Sequence, residues 1–104
     1  MKRASSELKS LAQTFDNQFH DASVLIHNGT GRNTLLISIS GKDTDKVAKR
    51  ALAIERAVQQ EFERRGNNDS SYFETYEPRS TVEVATGKDS DTAHYDILVA
   101  INEH

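Results

Sequence analysis

Cysteine is absent from the 104 residues. That excludes a disulfide framework, cysteine-ligated zinc and thiol chemistry. No apolar run approaches the roughly 20 residues that a membrane-spanning helix needs, so no membrane partner is expected. The first ten residues, MKRASSELKS, lack the apolar stretch of a secretory signal. Together these absences predict a cytoplasmic protein. Apolar residues are scarce: Leu, Ile, Val and Phe number 23, little above the level of disordered chains. They are nonetheless well patterned, which predicts one folded α+β domain over residues 1–104 with a lean core. Cores of this size leave little stability margin, and partners often supply the remainder.

Charge is unevenly spread. Residues 1–67 hold 11 basic and 8 acidic groups, a balance of +3, whereas residues 68–104 hold 2 and 8, a balance of −6. Asymmetry of this kind marks a partner or a head-to-tail self-contact, or is simple scatter of solvated charge.

Residues 5–19 read as a helix, because Ala4, Leu8, Leu11, Phe15 and Phe19 recur at steps of three and four. Ser5 or Ser6 suits its cap, and Glu7 suits its positive end. ASVLIHNGTGRNTLLISIS then reads as a hairpin turning at Asn28-Gly29. The spacing of Val47, Ala51, Ile54, Val58 and Phe62 predicts a long helix over 44–65, started by Asp43 or Thr44 and stopped by Gly66. Three strands are expected to follow, at 71–77, 80–86 and 94–102, with Pro78 separating the first two. The order helix-strand-strand-helix-strand-strand-strand predicts a two-layer sandwich, with two helices on one face of a mostly antiparallel sheet. Its first six elements are those of a ferredoxin-like fold with the first strand moved to the end. The crossover rule expects the strand after the long helix to run parallel to the strand before it. Unrelated families share this order, among them some RNA-binding domains and some phage tail-assembly proteins, so the order alone assigns no function.

SISGKDTDKVAKR carries Gly41-Lys42 at a strand-to-helix turn, as phosphate-binding loops do. A Walker loop, however, needs a glycine where Leu36 stands and a Ser or Thr where Asp43 stands. Asp43 and Asp45 put negative charge where a phosphate would sit, so the stretch reads as a capped helix start. His20, His27, His94 and His104 show no metal-binding spacing, and no GxSxG turn is present. Glu74, Glu77 and Glu83 are the one carboxylate group with a chance of converging across strands, and a solvated sheet edge explains them. No catalytic, cofactor or metal site is expected.

Two surfaces remain. Lys46, Lys49, Arg50, Arg56 and Arg64 are expected on the long helix opposite its apolar stripe, where they would meet phosphates or simply solvent. On the sheet, if Val24, Ile26, Leu35, Ile37, Ile39, Ile97, Val99 and Ile101 face the helices, alternation sends Leu25, Leu36, Leu98 and Ala100 to the other side. A face open to water is usually more polar than that, so these four residues are the candidate protein interface. The sequence thus predicts a small non-enzymatic protein-binding or assembly protein: an inhibitor, an immunity protein or a subunit of a larger complex such as a phage assembly. Its partner is another protein or a second copy of the chain. The second reading is a nucleic-acid-binding module using the basic helix face.

Overall fold

A computed structural model of the chain describes residues 4–29, 32–84 and 92–104. Thr30 and Gly31 of the expected hairpin, residues 85–91 with the end of the expected strand 80–86, and the first three residues lie outside the described residues. Helix α1 spans Ala4–Gln18 and buries Ala4, Leu8, Leu11 and Phe15, with Phe19 just beyond its end. Ser5 and Ser6 lie inside its first turn rather than at the cap. Strands β1 (Ser23–Gly29) and β2 (Arg32–Gly41) form the expected antiparallel hairpin, although Asn28 and Gly29 end β1 rather than make the turn.

Helix α2 runs from Thr44 to Asn68 and buries the expected stripe of Val47, Ala51, Ile54, Val58 and Phe62. Asp43 caps its start, its carboxylate accepting the Lys46 N–H at 3.2 Å. The carboxylate takes up the donor that an anion would use. The helix does not stop at Gly66; it runs two residues further and closes with the Asp69 N–H bonded to the Arg65 carbonyl. Gly66 serves another purpose. A Cβ placed there would come within 2.1 Å of the Phe73 ring, so glycine lets that ring lie against the helix.

The expected strand over 71–77 does not form. Residues Tyr72–Thr75 make a single helical turn, α3, and strand β3 begins at Tyr76 and continues through Pro78 to Val84. The cause is local. The Asp69 carboxylate accepts both the Ser71 N–H, at 3.0 Å, and the Ser71 hydroxyl, at 2.7 Å. That folds the chain into a turn as α2 ends. Pro78 sits inside β3 because β3 is an edge strand, where a missing N–H is tolerated.

Strand β4 (Ala93–Glu103) completes a four-stranded antiparallel sheet of order β1-β2-β4-β3. Both β2 and β3 run antiparallel to β4, so they share a direction, as the crossover rule requires. The expected two-layer α+β sandwich is the observed one, with one strand fewer. Leu35, Ile37, Ile39, Ile97, Val99 and Ile101 are buried in one core with the stripes of α1 and α2, and Val24 and Ile26 pack against it. None of the described helices is long and apolar enough to cross a membrane.

The Gly66–Phe73 contact makes a testable prediction. In a Phe73→Ala background, Gly66→Ala should stabilise the protein by up to about 1 kcal/mol through helix propensity. In the wild type the gain should shrink or reverse, because the ring must move. Urea melts of the four proteins in this cycle measure the coupling, and strict additivity would refute the contact.

Candidate functional site

The face of the sheet away from the helices carries the candidate interface. Register places Leu25 beside Leu36, Leu36 beside Leu98, and Leu98 beside Thr81, one row across all four strands. Ala100 adjoins this row, flanked by Thr34 and Arg79. All four residues are partly or largely open, and Leu25, on the edge strand, is 58% exposed. The three leucines expected to share the outer face therefore do so on adjoining strands.

Polar groups border this row on both sides. On one, Asp96 accepts the Ser38 hydroxyl at 2.8 Å, and the same Oδ1 lies 2.8 Å from His94 Nε2. A nucleophilic triad needs the imidazole between serine and carboxylate. Here Asp96 stands between, so the serine has no base. On the other side, Arg79 and Glu77 pair at 2.5 Å. The three glutamates do not converge: Glu74 lies in α3, Glu77 is paired with Arg79, and Glu83 stands opposite Asp96. His27 and His94 lie on β1 and β4, which β2 separates. Among the described residues, no cluster of three His, Cys, Asp or Glu side chains could hold a metal.

Two of the five basic residues of α2 are engaged within the fold. Arg50 is half-buried at the flank of the helix, forking onto Asp21 at 2.8 and 2.9 Å with its guanidinium 5.7 Å from the Phe19 ring. This pairing holds the Asp21 carboxyl below its usual value. Arg64 makes three hydrogen bonds to Glu61. Lys46, Lys49 and Arg56 are exposed and form no ion pair among the described residues. Three exposed cations, with Glu55 and Glu63 on the same helix, give a weak phosphate surface.

Sequence reasoning missed a polar network at the far end of the helix layer. Glu7 was expected only to suit the positive end of α1. Glu7 is buried and Arg65 mostly so, and Arg65 Nη1 donates to Glu7 Oε1 at 2.9 Å. The same guanidinium reaches Ser10 at 3.1 Å and Thr14 at 3.2 Å, and its Nε lies 3.6 Å from Glu61. The Tyr72 hydroxyl donates to Glu7 at 3.0 Å, joining α3 to both long helices. Burial, and then the Glu7 carboxylate, raises the Tyr72 pKa far above the usual phenol value. A cleft of about 340 Å³ opens over this network, lined by Glu7, Ser10, Arg64, Arg65, Asn68, Asp69 and Tyr72. Its cations are already neutralised by its carboxylates, so it reads as the mouth of a helix-joining ion network. The one sequence signal was spacing: Glu7 sits one residue before Leu8 in the α1 stripe, and Glu61 one before Phe62 in that of α2.

No protein-family model matches the chain, and neither a curated protein nor a solved structure matches it significantly.

Removing one member of the buried pair should cost more than removing both. Glu7→Leu leaves the guanidinium without its closest carboxylate, with Glu61 only at 3.6 Å, and should lose about 3 kcal/mol, whereas Glu7→Leu with Arg65→Met should recover most of it. Denaturant melts decide, and an additive loss would show the pair to be uncoupled. Tyr72 predicts a pH effect. Its folded pKa lies above its unfolded value near 10, so its stabilising contribution is complete below about pH 10 and fades as pH rises beyond it. Tyr72→Phe should cost about 1.5–3 kcal/mol at neutral pH and flatten the alkaline limb of stability against pH. Tyr76, raised by burial as well, keeps part of that limb.

Proposed function

We propose that the protein works by binding another protein through the outer face of its sheet, with no chemistry of its own. It acts as an assembly subunit or inhibitor-type module. The observation that supports this most is the unbroken row of Leu25, Leu36 and Leu98 on adjoining strands, on the side the helices leave open. An apolar centre with a rim of Ser38, Asp96, His94, Glu77 and Arg79 has the anatomy of a contact surface. Each leucine fully covered by a partner would contribute about 1.5–3 kcal/mol before the costs of association. The engagement of Arg50 and Arg64 within the fold leaves the nucleic-acid reading as the weaker one.

Leu36→Lys should abolish partner binding and leave the fold intact, because it changes the outer face alone. Ile37→Lys, one residue on, puts a charge in the core and should unfold the domain. The checks are circular-dichroism melts of both variants and retention of partner from nuclease-treated native lysate on immobilised protein. Unfolding by Leu36→Lys would overturn the open face, and nuclease-sensitive binding lost on charge reversal of Lys49 and Arg56 would favour nucleic acid.

A further inference from the structure

The two edges of the sheet differ. The β3 edge carries Glu77, Pro78, Arg79 and Glu83, the charges and proline that keep edge strands from pairing with other chains. The β1 edge has none of these. Its sequence, SVLIHNG, contains no Lys, Arg, Asp, Glu or Pro, and Val24, Leu25 and Ile26 occupy its middle. Such an edge presents backbone N–H and C=O groups with no electrostatic or steric bar to a further strand.

We propose that β1 pairs antiparallel with β1 of a second copy of this chain, across a two-fold axis passing by Leu25. Register argues for this occupant. With Leu25 opposite Leu25 of the second copy, Val24 meets Ile26 and Ser23 meets His27. Every apolar residue then faces an apolar residue on its own side of the sheet. A shift of two residues in either direction sets Leu25 against serine or histidine. A one-residue slip would put the helices of the two copies on opposite faces. The segment is thus self-complementary, as a two-fold contact requires, and no charge repels its copy. Pairing also continues the outer row. Leu98, Leu36 and Leu25 of one copy run into Leu25, Leu36 and Leu98 of the next, six leucines across eight strands. The high exposure of Leu25 follows from its lack of a neighbour on the open side. The contact is a different one from the outer face and holds or fails independently of it.

The absence of cysteine makes the test direct. Opposed Cα atoms in an antiparallel pair lie about 4.5–5.5 Å apart, within disulfide reach. Leu25→Cys should therefore crosslink rapidly to its own copy under mild oxidation, whereas Leu98→Cys and Thr81→Cys should not. In solution the wild type should have twice the chain mass of 11.6 kDa at high micromolar concentration. Leu25→Lys, which sets two lysines on the axis, should halve that mass, and Leu98→Lys should leave it unchanged. A monomeric wild type, or crosslinking no faster at 25 than at 81, overturns the proposal. A dimer lost through Leu98→Lys and kept by Leu25→Lys also overturns it, and assigns self-association to the outer face instead.

Discussion

The Arg65 guanidinium is the group around which the two long helices are aligned. It is 15% exposed and must be met by carboxylates. One comes from the first turns of α1, another from the preceding turn of α2, and the phenol of Tyr72 bonds to the first. The apolar contacts between helices and sheet are not directional, and a lean core of Leu, Ile and Val tolerates sliding. The ion network removes that freedom. It fixes how far α1 lies along α2, and through Tyr72 it sets where the chain leaves the helical turn. Tyr76 then starts β3, and the register of β3 on β4 follows.

This order of causes reaches the outer face. Because the helices saturate one side of the sheet, the two-residue period of the strands delivers every second residue to the other. The middle row on that side is apolar in β1, β2 and β4, and ends at Thr81 on β3. The rows beside it are polar and tied to one another, as in Ser38–Asp96–His94 and Glu77–Arg79. The rim is thus held in place by its own bonds, while the leucines are covered only by one another and stay partly open. Anything that covered such a row would stabilise a protein with so small a core, since binding to the folded state alone shifts the folding equilibrium.

What could be read in the sequence was what depends on local period. The stripes of α1 and α2 and the alternation in β1, β2 and β4 were legible by counting, and so was the membership of the outer face. Contacts between distant residues were not. Glu7 and Arg65 each fit a helix-dipole rule well enough to hide that they bind each other across 58 residues. Gly66 looked like a helix stop because the ring that needs its bare Cα comes from the next element. The stretch 71–77 has strand-like composition, but the Asp69 carboxylate and the Glu7 bond to Tyr72 turn Tyr72–Thr75 into a helical turn, and the strand starts only at Tyr76. Arg50 was assigned to the back of α2, since its partner Asp21 sits in a connection whose placement the sequence does not give.

Pro78 has a further consequence. A flat sheet with two receptive sides is a bifunctional monomer and polymerises without limit. With proline and three charged side chains along β3, this sheet has one receptive side and a valence of one. If a second copy added to β1, both new outer boundaries would be β3 and growth would stop there. In such a pairing, the residue that looked like a simple break between two strands would act as a chain terminator, separating a discrete complex from a fibre.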